Sequence, residues 1–322
     1  MQKKVIDAPI NGDFTNKNIL SIGQFSKKDI DIMFNEAAAT EKYIKKYDGT
    51  DLLKRKRLVN IFFEPSTRTS SSFHFAMEAH GGSVKTIENV AFSSVAKGET
   101  LQDTVRALEQ YAHVTVIRHS EMGAVSVAAE VAQNPIINGG DGVGEHPTQA
   151  LLDLFTIKQR LGHLDGITVT MVGDLKNGRT VHSLAQLLSH YGATLNYVSP
   201  KELTMPKSYT DPFKHKGIAQ SEHQTLSGVL PKTDVLYVTR VQGERFLDPQ
   251  EYERLKLTYT ITPKVLKDAK KDMIIMHPLP RVGEIDTAVD SDPRAAYFEQ
   301  MRYGMYVRMS LLALVLGRSI QK

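Results

Sequence analysis

Short apolar runs alternate along this chain with apolar residues spaced for one face of a helix. The runs predict buried strands at Leu58-Val59-Asn60-Ile61-Phe62-Phe63 and over 113–118, 135–138, 167–172, 194–198, 234–239 and 273–276. Residues 83–90 alternate and add another strand. Helical stripes predict a helix over 25–47 with Ile30, Met33 and Phe34 inward, and one carrying Phe73 and Met77 that stops at Gly81-Gly82. Thr100-x-x-Asp103 resembles a capping box before Leu101, Val105 and Leu108. Further helices are predicted over 124–133, over 150–161 with Leu151, Leu154, Phe155 and Ile157, and over 181–190. A long C-terminal helix, 293–316, sets Tyr297, Met301, Met305, Met309 and Leu312 on one face. Strand–helix alternation throughout predicts an α/β fold: two doubly wound parallel-sheet domains joined by interdomain helices. The predicted division is 1–149 and 150–292, with 293–322 packing back near the domain junction.

Ligands of such sheets bind beyond the carboxyl ends of the strands, and the notable polar groups fall there. After the strand ending at Phe63 come Glu64, Pro65, Ser66, Thr67, Arg68 and Thr69. Pro65 suits the first turn of a helix, where a missing N–H costs nothing. Three hydroxyls and a guanidinium at a helix N-terminus exceed what capping needs and suit a phosphate or similar anion. Arg118 ends another strand, although a strand-end arginine is also compatible with plain surface placement. The glycine cluster 139–144 delivers Glu145, His146, Pro147, Thr148 and Gln149 to the start of a helix, with Gln149 one turn from His146. In the second half, Arg179 and Thr180 follow Gly178, Arg240 and Gln242 follow a strand, and His277-Pro278-Leu279-Pro280-Arg281 follow the last strand. His277 reads as structural, and Lys97 in the loop 91–98 reads by default as a solvated charge. These groups come from both halves, which predicts a site in the cleft between two domains.

Composition narrows the chemistry. With 40 Lys and Arg against 36 Asp and Glu, the small positive charge suits small anionic substrates and nucleic acid equally. The chain has no Cys, which excludes disulfides, thiolate metal sites and a cysteine nucleophile. No H-E-x-x-H occurs, so zinc is not expected, and both glycine fingerprints of nucleotide loops are missing. Trp is absent and no arginine-rich tract occurs, which argues against nucleic acid. The first residues lack the apolar segment of a signal peptide, and the longest apolar run, from Leu311 to Leu316, is short for a membrane span. The expectation is a cytoplasmic protein.

The order and spacing of Ser66-Thr67-Arg68-Thr69, His146-Pro147-Thr148-Gln149 and His277-Pro278-Leu279-Pro280-Arg281 resemble the carbamoyltransferase family. Leu279 stands where the ornithine branch usually carries Cys. Arg240-Val241-Gln242 with Glu244-Arg245, and Ser93 to Lys97 before Gly98-Glu99-Thr100, resemble the branch acting on aspartate. One departure is Pro65, where many relatives carry a small residue. The resemblance covers essentially the whole chain. It implies attack by the amino group of L-aspartate on carbamoyl phosphate, giving N-carbamoyl-L-aspartate and phosphate, the committed step toward pyrimidines.

It further implies that 1–149 binds carbamoyl phosphate and 150–292 binds aspartate. Ser66, Thr67, Arg68 and Thr69 would hold the phosphate. Arg118, Thr69 and His146 would donate to the carbamoyl oxygen. Gln149 and the Pro278 and Leu279 carbonyls would hold the carbamoyl NH2. Arg179, Thr180, Arg240 and Gln242, with Pro280 and Lys97, would receive aspartate. Ser93 and Lys97 would enter the neighbouring subunit's site, implying a homotrimer with shared sites. Glu64, Arg179 and Arg245 match positions of a closed-state ion-pair network, and the helix from residue 150 and the C-terminal helix would be hinge elements. Cofactor and metal are not called for, and regulatory or pathway partners stay open. An ornithine-specific enzyme would need an acidic or amide-rich pocket, where this chain offers Arg179, Arg240 and Gln242. A non-catalytic anion-binding scaffold of the same fold is the alternative from another class. Arg68, His146 and Lys97 count against it.

Overall fold

The computed structural model describes residues 5–88 and 98–321. The chain divides into two compact units. Unit 1 runs up to Leu151 and resumes at Arg302, and unit 2 is Leu152–Met301. Both boundaries fall inside helices, the first in α5 (Pro147–Leu161) and the second in α9 (Tyr297–Val315).

Unit 1 contains β1 (Arg57–Phe62), β2 (Ser83–Glu88), β3 (Val114–His119) and β4 (Ile136–Asp141), all parallel, in the order β2-β1-β3-β4. Around them lie α1 (Lys27–Tyr47), α2 (Thr67–Ala79), α3 (Leu101–Leu108) and α4 (Ala124–Val131). β1 is buried from Leu58 to Phe62 and β4 along its whole length. Parallel strands covered on both faces are continuous apolar runs, which made them readable. α1 starts where the Ser26 hydroxyl accepts the Asp29 N–H and the Asp29 carboxylate accepts the Ser26 N–H. At α3 the Thr100 hydroxyl likewise accepts the Asp103 N–H.

Unit 2 contains β5 (Thr168–Val172), β6 (Thr194–Val198), β7 (Gln220–His223), β8 (Val235–Val238) and β9 (Ile274–Met276), again all parallel, in the order β7-β6-β5-β8-β9. Its helices include α6 (Arg179–Ser189), α7 (Lys207–His215) and α8 (Pro249–Leu255). Val172, Val198, Leu236, Val238, Ile275 and Tyr297 belong to one of its cores. In each sheet the strand order reverses once beside the first strand, between β1 and β3 and between β5 and β8. Those reversals open the crevices where doubly wound sheets take ligands.

Some local expectations change. Pro65 precedes the cap instead of opening the helix, because α2 begins at Thr67 with Ser66 as its N-cap. Gly139 and Gly140 lie in β4 rather than in a loop. A Cβ on Gly139 would come within 3.2 Å of the Ile117 carbonyl, so the glycine allows a close strand approach. Among the described residues, no helix is long and apolar enough to cross a membrane.

Two histidines tie this packing to pH. His80 and His182 are 0% and 2% exposed, and burial pushes each imidazole from 6.5 down to about 4. Since the unfolded chain binds these protons more readily, stability is full above about 6.5 and declines as pH falls toward about 4. The expected loss is on the order of 3 kcal/mol per histidine by the bottom of that window. Denaturant unfolding at pH 7, 6, 5 and 4.5 checks this; an unchanged midpoint contradicts it.

Candidate active site

In unit 1, β1 passes into α2 through Phe63, Glu64, Pro65 and Ser66. Ser66 sits at the N-cap, yet its hydroxyl makes no capping bond, and the first turn carries no acidic residue. Thr67 and Arg68 are exposed and Thr69 is buried. The first-turn N–H groups of a helix have no partner within it and carry the positive end of its dipole. Ser66, these N–H groups and Arg68 thus gather at the start of α2, an arrangement whose charge suits an anion.

Two neighbouring strands carry the other expected groups of unit 1. Arg118 lies opposite Phe62 in the β1–β3 register. Its Nη2 pairs with Glu64 Oε2 at 2.8 Å, and its Nη1 donates to the Gly139 carbonyl at 3.3 Å. The pair orients the guanidinium at the sheet edge beside the α2 N-terminus. At the end of β4, the Asp141 carboxylate accepts the N–H groups of Gly123 at 2.9 Å and Glu145 at 3.0 Å, and the Asn138 amide at 3.2 Å. This fixed turn sets His146 ahead of Pro147, the first residue of α5. The His146 carbonyl accepts the N–H groups of Gln149 and Ala150 at 3.0 and 3.1 Å. His146 and Gln149 are 4% and 6% exposed, both near the start of α5.

Unit 2 repeats the plan. Gly173 follows β5 with φ 120°, and a Cβ there would stand 2.2 Å from the Thr239 carbonyl, so only glycine lets the loops after β5 and β8 meet. Asp174, fully buried, joins them. Its Oδ1 accepts the Asn177 N–H at 3.0 Å, and its Oδ2 lies 3.3 Å from the Gln242 N–H. Gln242 Nε2 in turn donates to the Asn177 carbonyl at 2.9 Å. α6 then begins at Arg179 and Thr180 after Gly178, again without a side-chain cap. Arg240 Nη1 meets Glu244 Oε2 at 2.9 Å, and a second contact joins Nη2 to Oε1.

Pro278, Leu279 and Pro280 follow β9. The Leu279–Pro280 bond is cis, and Leu279 has φ 55°. The left-handed region costs a non-glycine residue roughly 1–2 kcal/mol. The Leu279 N–H donates to His277 Nδ1 at 2.7 Å, which offsets part of that cost.

The structure therefore sets Ser66, Thr67, Arg68, Thr69, Arg118, His146 and Gln149 at the carboxyl edge of one sheet. It sets Arg179, Thr180, Arg240, Gln242 and Pro278 to Pro280 at that of the other. Glu64, which the resemblance places in a closed-state network with Arg179 and Arg245, forms an ion pair with Arg118 within unit 1. Ser93 and Lys97 lie outside the described residues. Among the described residues, no group of three His, Asp or Glu is placed to hold a metal ion.

Sequence reading missed two supports. Asp174 was not singled out; its signal was position, directly after the Gly173 that follows β5. Arg308 is a buried cation on α9. Its Nη1 donates to Ser72 Oγ at 3.0 Å, its Nη2 lies 3.5 Å from Thr148 Oγ1, and its guanidinium stands 5.1 Å over the Phe73 ring. It thereby ties α2 to α5, the helices whose starts carry Ser66 to Thr69 and His146 to Gln149. A lone arginine inside an apolar helical stripe was the available signal.

Comparison with known proteins places the whole arrangement in a family. Residues 17–159 match the aspartate/ornithine carbamoyltransferase carbamoyl-P binding domain, and residues 165–315 match the Asp/Orn binding domain of the same family. The chain belongs to the aspartate/ornithine carbamoyltransferase family. It is 53% identical over 310 residues, 96% of its length, to multifunctional protein pyr1-3 of Dictyostelium discoideum. It spans 14% of the length of that protein and of the other multifunctional relatives it matches first. It is 48% identical to the aspartate carbamoyltransferase catalytic subunit of Thermococcus kodakarensis, covering 95% of this chain and 98% of that one. A crystal structure of Trypanosoma cruzi aspartate transcarbamoylase in complex with carbamoyl phosphate and aspartate is 45% identical, with a TM-score of 0.91 over 96% of this chain and 99% of the other.

Proposed function

We propose that this chain transfers the carbamoyl group of carbamoyl phosphate to the amino group of L-aspartate, giving N-carbamoyl-L-aspartate and inorganic phosphate on the way to pyrimidines. One observation carries the reading. Each unit presents, at its strand-order reversal, a helix N-terminus with no side-chain cap and an arginine in the first turn. Two such cradles in one chain suit a reaction between two anions. The family and the names of the relatives above support the same activity.

In this reading unit 1 takes carbamoyl phosphate. Ser66, Thr67, Arg68 and Thr69 bind its phosphate at the start of α2. Thr69, Arg118 and His146 donate to the carbamoyl oxygen, while Gln149 and the Pro278 and Leu279 carbonyls hold the NH2. Unit 2 takes aspartate, with Arg179, Thr180, Arg240, Gln242 and the Pro280 turn around its carboxylates; guanidinium forks match planar anions. The amine lone pair attacks the carbonyl carbon, and a C–N bond forms. Negative charge grows on the carbonyl oxygen, where each well-placed donor lowers the barrier by about 3 kcal/mol. The C–O bond to phosphorus then breaks, and its electron pair leaves with phosphate, which Arg68 neutralises. The amine proton passes to the departing phosphate. Positioning and electrostatics suffice, without a covalent enzyme intermediate.

The working form in this reading is a cytoplasmic homotrimer, in which Ser93 and Lys97 of one subunit complete a neighbour's site. Lys97 joins both the carbamoyl phosphate and the aspartate contacts. The deciding assay supplies carbamoyl phosphate with either aspartate or ornithine and measures ureido product and released phosphate. Product with aspartate and background with ornithine is expected. Ornithine turnover overturns the substrate, and background with both amines leaves only anion binding.

A further inference from the structure

We infer that His277 and Glu284 are positioning residues for the reaction, holding the Pro278–Leu279 turn so that its two carbonyls face the carbamoyl NH2. This rests on the reading that those carbonyls receive the donor. The imidazole is 1% exposed and the carboxylate 4%. His277 Nδ1 accepts the Leu279 N–H at 2.7 Å, so in the neutral ring the proton sits on Nε2. Nε2 donates to Glu284 Oε1 at 2.6 Å, and Glu284 Oε2 accepts the Val282 N–H at 2.9 Å. The Glu284 carbonyl takes the Ile261 N–H at 2.9 Å, which anchors the carboxylate's own backbone. Burial drives the His277 imidazole toward its neutral form, while its bond to Glu284 helps keep that carboxylate ionised. A doubly protonated ring would turn an N–H toward the Leu279 N–H and lose the turn.

The strand end is pinned separately. The His277 N–H donates to Gln300 Oε1 at 3.1 Å, and Gln300 Nε2 reaches Asp153 Oδ1 at 2.5 Å. Asp153 Oδ2 accepts the Tyr237 hydroxyl at 2.6 Å, and that hydroxyl also meets the Thr180 side chain. Asp153, Tyr237 and Gln300 are all fully buried. Replacing the imidazole therefore leaves β9 anchored through its backbone. What changes is the direction of the Pro278 and Leu279 carbonyls beyond it.

Two substitutions separate the ring's two nitrogens. His277→Asn keeps an acceptor near the Leu279 N–H and gives up the donor to Glu284. His277→Gln keeps a donor near Glu284 and gives up the acceptor. Both variants are compared with the intact protein for KM of carbamoyl phosphate, kcat and melting temperature. His277→Gln is expected to raise that KM at least tenfold and lower kcat, whereas His277→Asn stays within about threefold of the parent on both. Parallel losses in the two variants, tracking their melting temperatures, overturn the proposal and leave a core histidine. Should one variant fail to fold, Glu284→Gln is measured instead; it loosens the brace on Nε2 but keeps the Nδ1 acceptor, so a KM rise of about threefold is expected, and an unchanged KM counts against the proposal. Absence of turnover in the parent protein strikes the functional reading itself, and the two failures are thereby told apart.

Discussion

Arg68→Ala is expected to lower kcat by about a thousandfold, the upper end of what one charge-stabilising donor contributes to a transition state. Arg68 is exposed at the start of α2, in a first turn without acidic residues. Its guanidinium fills no core space, so the melting temperature should stay close to that of the parent. Loss of activity with retained stability is the signature of a group acting on the departing phosphate. Arg68→Lys should restore little, because a point charge does not reproduce a planar fork. Steady-state kinetics beside thermal melting checks this, and a loss under tenfold means the phosphate is held elsewhere.

The second large effect is a gain. Lys97→Ala and Arg68→Ala are each expected to be inactive, yet chains of the two variants mixed under dissociating conditions should regain activity on reassembly. If Lys97 serves a neighbour's site, a mixed ring holds positions where one chain supplies Arg68 and the adjacent chain supplies Lys97. Random reassembly of equal amounts makes such a competent pairing at about one site in four. Recovery near a quarter of parental turnover supports shared sites. Hybrids as inactive as either variant show that Lys97 works within its own chain or not at all.

How much of this was legible in sequence depends on burial. β1, β3, β5 and β8 are covered on both faces, and their apolar runs announced them. β7 did not announce itself. It is the edge strand Gln220-Ser221-Glu222-His223, paired among the described residues only with β6, and backbone bonds hold it without an apolar signature. α7 is polar with Pro212 inside it, and α8 is a short helix after an Asp248 cap, so neither carried a readable stripe. The arginines and hydroxyls at the starts of α2 and α6 stood out in the sequence because each set opens a helix shortly after a buried strand. Asp174, Asp153 and Arg308 were not, since a buried charge shows its purpose only when its partners from distant parts of the chain are known. The same holds for Glu284, whose partner His277 sequence alone had marked as structural.

Unit 1 is split in the sequence, and this bears on how the protein is born. Its four strands are complete by Asp141, but α9 returns to it only from Arg302. Thr40 on α1 meets Ser310 at 3.2 Å, and Glu36 receives the Ser319 hydroxyl at 2.7 Å. A ribosome working at roughly 10 residues per second spends about 15 seconds on Leu152–Met301 before those partners emerge. During that interval Glu36 and Thr40 wait for these partners, while unit 2 is one contiguous stretch. Within this stretch the part of α9 from Arg302 on, made after unit 2, thus completes a unit whose strands were made before it.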